Sequence, residues 1–267
     1  MAYVVEAILQ CIFVLVLAGI GWLAGRRLGA LRWWWVGLLP GLFYVALLIL
    51  FRLVPSFQRS LPLSWIMAGR MSRFLGAVII PVLILPPVPR LRTQGQRRMV
   101  KLCAAVLVGY CSVLPFLGAA FAYPAQSRLK TMVDTNGICL QSNGYNCGPA
   151  AAVTILRGRG IPATESELAV AAHTTCFTGT PMDLLCVAVR ELYGVQGRIF
   201  LQPSLEEMED KAPFIAVVKH APMVDHYVVV LDITDSGVLV GDPLKGMYSL
   251  PHASFEERWR AKSIVFY

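Results

Sequence analysis

Cys147 stands in "QSNGYNCGPAAAVTILRGRG", between Asn146 and Gly148-Pro149, where an Ala-rich helix would begin. A cysteine serves as a nucleophile when it has thiolate character, a base, an orienter for that base and donors for an oxyanion. The start of a helix offers unsatisfied N–H groups and the positive end of the dipole, and both favour a thiolate. Pro149 loses nothing in a first turn, and Gly148 would let a substrate backbone come close. Most cysteines in such places are simply small buried residues. The rest of the chain must therefore supply the partners.

Four histidines are candidates for the base. His226 opens the run "HYVVVLDI", so a strand would hold its backbone and fix the imidazole for proton transfer. His173, His220 and His252 fall in turn-like or cap-like contexts and read as surface or packing residues. Asp242, in "VGDPLKG", ends a strand that a hairpin pairs with that of His226. Its carboxylate can accept from the imidazole and set its tautomer; alone, Asp-Pro would merely start a turn. Gln141 precedes Cys147 on the loop entering the helix, where its amide N–H and the Cys147 backbone N–H could share an oxyanion. Alone it would be a loop amide capping a backbone group. Each residue is ordinary by itself, whereas one cysteine with a distant His and Asx is a nucleophile pattern.

The elements that must place these groups are those of an α+β domain. A helix is predicted from Cys147 to about Arg157, stopped by Gly158 and Gly160. Thr164 with Glu167 makes a capping-box start for the next. Thr180 or Pro181 starts a third, running through Leu192, with Leu184, Leu185, Ala188 and Leu192 on one face. Strands follow at Phe214–Lys219, His226–Ile233, Val238–Gly241 and Ser263–Tyr267, with Asp235-Ser236-Gly237 as the turn of an antiparallel hairpin. From Gly137 onward this is a globular domain of roughly 135 residues, enough for one core.

The half before it is different in kind. The whole chain is 56% hydrophobic with a mean hydropathy of +0.60, above what a soluble protein carries. Residues 1–123 hold 12 Lys/Arg against one acid, Glu6, whereas residues 124–267 hold 12 against 15. The net +8 therefore belongs to the apolar half, where arginines cluster between hydrophobic runs. That distribution marks membrane topology and disfavours a nucleic-acid partner. Four runs stand out, at Val4–Ala24, Trp34–Leu53, Phe74–Pro89 and Val100–Tyr123, each a candidate span of a bilayer. The first lacks the basic flank and small-residue site of a signal peptide. Pro115, in the fourth, is tolerated as a kink.

The first and third loops carry Arg26, Arg27, Arg32, Arg90, Arg92, Arg97, Arg98 and Lys101, and the middle loop carries Arg59, Arg70 and Arg73. With four spans, the positive-inside tendency puts both termini outside the cytoplasm; if the third run did not cross, the C-terminal domain would flip inside. No charge lies deep in any run, so an anchor is favoured over a channel or transporter. The expected organisation is a multi-span membrane domain over 1–123, a linker over 124–136 and the α+β domain over 137–267. Only a short stretch separates Tyr123 from Gln141, so the site is expected near the bilayer surface.

"CLQSNGYNCGPAAAVTILRGRGI", "DHYVVVLDI", "VLVGDPLKG" and "FEERW" together resemble the bacteriocin-processing cysteine peptidases, a papain-like family that cuts double-glycine leaders. The resemblance covers most of Gly137–Tyr267. It implies a papain-like α+β fold with an antiparallel sheet, hydrolysis of a peptide or protein substrate, and no metal or cofactor. It assigns the oxyanion role to Gln141, attack to Cys147, the base to His226 and its orientation to Asp242. The familiar members are N-terminal domains of ABC exporters. This chain has no G-x-x-x-x-G-K-[ST] loop, carries the domain at its C-terminal end, and has Asn146 where an Asp often precedes the nucleophile. Cleavage chemistry carries over better than the leader substrate, and an export or processing complex is an expected partner.

Two other classes share these residues: a non-catalytic module that binds leaders, and a transglutaminase-like acyl transferase. A lost Cys or His would mark the first, and neither is lost. Of the remaining cysteines, Cys11, Cys103 and Cys111 lie in apolar runs. Cys139, Cys176 and Cys186 could supply one disulfide if the domain is extracytoplasmic. Zinc is disfavoured, since neither C-x-x-C nor H-x₃₋₅-H spacing occurs.

Overall fold

The apolar runs of the first half are helical. A computed structural model describes residues 2–53, 69–201, 203–221 and 224–267, which divide into two units, Met1–Ala120 and Phe121–Tyr267. In the first unit α1 spans Ala2–Ala30, α2 Leu39–Leu53, α3 Gly69–Ile84 and α4 Gln94–Val108, and α5 begins at Leu114 and ends at Gln126. Three apolar, largely helical stretches, Ile8–Ala30, Met71–Arg90 and Gln94–Gly118, have 23, 20 and 25 residues. At 1.5 Å per residue each is long enough for a hydrocarbon core of about 30 Å. The second predicted run is shorter: Trp34–Leu50 forms an apolar helix below that length. Among the described residues, then, three helices rather than four meet the length of a span. The middle-loop Arg59 lies outside the described residues.

Glycines let α1 and α3 approach closely. A Cβ on Gly25 would lie 2.6 Å from the Pro81 carbonyl oxygen, and one on Gly29 would lie 2.8 Å from that of Pro86; Gly21 meets Val78 in the same way. Small residues spaced by four form one stripe on a helix, the usual means of close packing between membrane helices. The partners rise together in number, so α1 and α3 run parallel. Arg90, just beyond α3, closes the same end of α1 by donating to Gly29 O (2.7 Å) and Leu31 O (2.9 Å). Pro115 has its predicted consequence in a specific form. It has no N–H for the carbonyl four residues back, a π turn occupies Gly109–Val113, and Arg73 Nη1 donates to Cys111 O at 3.2 Å.

In the second unit a two-stranded ribbon pairs β1 (Met132–Val133) with β2 (Cys139–Leu140). Three helices follow: α6 (Cys147–Gly158), α7 (Glu165–Ala171) and α8 (Met182–Tyr193). Thr164 caps α7 as its sequence requires, accepting from Glu167 N. The sheet comprises β3 (Gly197–Leu201), β4 (Phe214–Ala221), β5 (Val224–Thr234), β6 (Gly237–Asp242), β7 (Gly246–Leu250) and β8 (Trp259–Phe266). It is antiparallel throughout, in the order β3-β8-β4-β5-β6-β7. Helices α6 to α8 cover one face over Ile155, Leu185, Ile215, Val229 and Ile264. The other face packs Phe214, Val228 and Val240 under Met208 of α9 (Leu205–Met208) and Phe255 of α10 (His252–Arg258).

This is the predicted α+β class, with more strands than the sequence revealed. Edge strands β3 and β7 are half-exposed on alternate residues and offer no apolar run. The buried face of α8 is also turned from the expected one: Leu185, Ala188 and Val189 are buried while Leu192 is 44% exposed.

Candidate active site

Cys147 occupies the first turn of α6, whose residues from Cys147 through Leu156 are all buried. A helix so enclosed holds its N-terminus rigidly, and the first-turn N–H groups have no intrahelical acceptor. The sequence left Gly148 for a substrate backbone, but its space belongs to the protein. A Cβ there would meet Thr180 Cβ at 2.7 Å and Oγ1 at 2.8 Å. Thr180 is 4% exposed, and its carbonyl accepts from Tyr227 Oη at 2.9 Å, so it has little room to yield. Gly148→Ala should therefore cost about 1–3 kcal/mol of stability through overpacking. An unchanged denaturant midpoint would show that Thr180 moves aside.

His226 lies near the start of β5, opposite Val218 of β4, and the β5–β6 hairpin turns at Asp235-Ser236 as predicted. The turn brings Asp242, the last residue of β6, back to His226: Nε2 and Oδ1 are 2.7 Å apart, and both residues are about 95% buried. Cys147 is near enough to add to the field on the imidazole. With Nε2 on the carboxylate, Nδ1 is the nitrogen left to face the thiol. Asp242 Oδ1 accepts from Leu244 N (2.8 Å) and Oδ2 from Tyr248 Oη (3.3 Å). The carboxylate is thus both the turn-former of Asp-Pro and the orienter of the ring.

Electrostatics follow the geometry. Burial opposes a charged His226, but hydrogen bonds and charge from Asp242 and Cys147 outweigh it and lift the imidazole to about 9. Asp242 is also penalised by burial, yet His226 and the Leu244 amide hold it below its ordinary range. The histidine and aspartate are therefore ionised together at neutral pH.

Gln141 lies just beyond β2, and its backbone N donates to Pro243 O at 2.9 Å, tying it to the residue after Asp242. Its side-chain Nε2 donates to Asn143 O at 2.6 Å, which leaves one N–H for another acceptor; Oε1 is buried without a partner among the described residues. Of the histidines set aside, the exposed His220 has its ring 5.6 Å from that of His226. A pocket opens beside the pair, lined by His220, His226, Asp242, Lys245, Tyr248 and Arg258 among others. Tyr248 carried no sequence signal and Thr180 read only as a helix start, because strand pairing and helix packing alone bring them here.

All seven cysteines are free, Cys139, Cys176 and Cys186 among them. Burial pushes the Cys139 thiol up to about 12, helped by Glu165, and that of Cys186 to about 11, helped by Asp183. Neither thiol is a nucleophile at neutral pH. No group of three or more His, Cys, Asp or Glu side chains gathers as a metal site among the described residues.

Cys147, at a helix start, and His226 and Asp242, on paired strands, are thus all buried. Residues 135–267 match the peptidase C39 family, and the chain belongs to that family. It is similar to an uncharacterised protein of Methanothermobacter marburgensis, 29% identical over 137 residues, covering 51% of this chain and 92% of that protein. A Methanothermobacter thermautotrophicus protein is 31% identical over the same length and shares. Similar solved structures include the peptidase domain of Streptococcus ComA, a bi-functional ABC transporter in a quorum-sensing pathway. It is 22% identical with a TM-score of 0.43, covering 48% of this chain and 94% of that one. A double glycine motif protease from an AMS/PCAT transporter, solved with its leader peptide, is 19% identical with a TM-score of 0.41, covering 52% and 93%.

Proposed function

We propose that this protein is a membrane-anchored cysteine peptidase that cuts peptide or protein substrates through an acyl-enzyme on Cys147. One observation carries most of the weight: His226 is held at 2.7 Å by Asp242 and feels the Cys147 sulfur, inside a peptidase-family domain. The Cys147 Sγ adds to the scissile carbonyl carbon, and the oxyanion takes the Cys147 backbone N–H and the remaining Gln141 amide N–H. The C–N bond breaks as His226 Nδ1–H gives its proton to the leaving amine, which leaves a thioester. Neutral His226 then takes a proton from water, hydroxide adds to the thioester, and the C–S bond breaks to release the acid and restore the thiolate. Asp242 keeps Nε2 protonated and directed throughout.

A leader ending in a double glycine is the proposed acyl segment, held on Cys147 as the thioester while the peptide that follows it leaves as the amine; the similar AMS/PCAT protease is a double glycine motif protease. An export or processing assembly is the proposed partner. For the chain as a whole we propose the membrane part over 1–123, a linker over 124–136 and the peptidase domain over 137–267. Four crossings, counting Trp34–Leu50, are supported by the parallel course of α1 and α3, which obliges the chain to return between them. An even number with arginine-rich first and third loops puts the peptidase domain outside the cytoplasm. Peptidomics of cells carrying Cys147→Ala should show an uncut precursor accumulating, and a C-terminal alkaline phosphatase fusion should be active. An unaltered peptide pool would refute the activity, and an inactive, stable fusion would refute the orientation.

A further inference from the structure

Gln141 and Cys147 are separated by a short irregular loop, yet one buried carboxylate grips it at both ends. Glu165, the first residue of α7, is fully buried. Its Oε1 accepts from Ser142 N at 2.9 Å and from Asn146 Nδ2 at 3.1 Å, and its Oε2 accepts from Ser142 Oγ at 2.6 Å. Ser142 follows the oxyanion candidate, and Asn146 precedes the nucleophile. Asn146 is gripped again from the other side by Gln126, the last residue of α5. The two amides exchange hydrogen bonds, Gln126 Nε2 to Asn146 Oδ1 at 3.2 Å and Asn146 Nδ2 to Gln126 Oε1 at 3.0 Å. Gln126 and Asn146 are 1% and 0% exposed, so every polar atom of the Asn146 side chain is paired inside the protein. Ser142 Oγ also reaches Lys130 O at 3.1 Å, and Thr131 Oγ1 accepts from Glu165 N at 2.9 Å.

A desolvated carboxylate is costly unless its acceptor capacity is filled. Here all three donors come from the two residues that flank Gln141 and Cys147. Acyl transfer depends on the spacing between oxyanion donors and nucleophile, and an error of about 1 Å can cost about 10²-fold in rate. We propose that Glu165, through Ser142 and Asn146 and backed by Gln126, is a positioning residue that fixes the Gln141 amide relative to the Cys147 thiol. This inference rests on the peptidase activity proposed above.

The test compares Glu165→Gln, Glu165→Ala and Asn146→Asp in the full-length protein, measuring three quantities. These are kcat and KM on a double-glycine peptide, the rate of Cys147 alkylation by iodoacetamide, and the thermal midpoint. Alkylation needs the thiolate and no oxyanion donors, so it separates nucleophile from geometry. Glutamine preserves the grip: its carbonyl oxygen serves Ser142 N and Asn146, and its amide donates to Ser142 Oγ, whose proton goes to Lys130 O. Glu165→Gln should therefore stay within about threefold of the parent in kcat. Alanine removes the grip, and Asn146→Asp sets two carboxylates against each other; each should lose about 10²-fold in kcat, with KM and alkylation within about threefold.

Equal loss in Glu165→Gln and Glu165→Ala would overturn the proposal, as would unchanged kcat in the latter. A fall in alkylation matching the fall in kcat would also overturn it, assigning Glu165 to general stability. If Glu165→Ala does not fold, the contrast between Asn146→Asp and Glu165→Gln decides. A parent protein that neither cleaves nor alkylates selectively would strike the peptidase activity itself, whereas an active parent with indifferent variants strikes only this inference.

Discussion

Replacing Cys147 with alanine is expected to reduce peptide cleavage by roughly 10⁴-fold or more while leaving the thermal midpoint nearly unchanged. Cys147 is 8% exposed at the first turn of α6, and losing one sulfur there creates little void beside the Gly148–Thr180 contact. The chemical loss is large because no other thiol can substitute. Cys139 and Cys186 are kept protonated by burial. Initial rates and circular dichroism on the same preparations check both halves. Retained cleavage would mean that the chemistry lies elsewhere. A collapsed midpoint would mean that the sulfur is chiefly a packing atom.

The second large effect concerns His226. Removing it with His226→Ala should cost about 10²–10⁴-fold in kcat, the range of a general acid–base. The pH profile is more specific. In the proposed mechanism the protonated ring supplies the leaving-group proton, so activity should fall as pH rises through about 9. The same raised pKa stabilises the fold fully below about 6.5, the unfolded imidazole value, and that stabilisation is lost as pH rises through about 9. Asp242→Asn separates charge from orientation. The amide oxygen can still accept from Nε2 and Leu244 N, and its NH₂ can donate to Tyr248 Oη, so the ring stays in place. The alkaline limb should then move to lower pH, because the partner charge that raised it is gone. A limb that stays where it was would mean that Asp242 holds the ring without setting its charge.

Much of this site was legible before any fold was known, for identifiable reasons. Cys147 sits beside helix-start punctuation, and His226 and Asp242 flank an alternating run with a Ser-Gly turn. Local rules alone therefore placed those three on α6, β5 and β6. Gln141 was legible by position on the loop, but not its backbone bond to Pro243, which requires β2 to pass the end of β6. Glu165 carried no signal of its own, and Gln126 fell within the linker over 124–136. Their burial arises from three segments meeting at Asn146, a tertiary fact with no periodic signature. Gly148 misled for the same reason, since the space it leaves is filled by Thr180, far along the chain. In the apolar half, hydropathy found the runs, but the glycine stripe of α1 acquires meaning only when α3 lies against it.

Irreversible labelling by a peptidyl chloromethyl ketone ending in Gly-Gly, with the modified residue mapped by mass spectrometry, tests the central claim most directly. A single adduct on Cys147 is predicted, absent after Cys147→Ala and slowed after His226→Ala. An adduct on Cys176, Cys139 or Cys186, or processing that continues with Cys147 fully blocked, would contradict it.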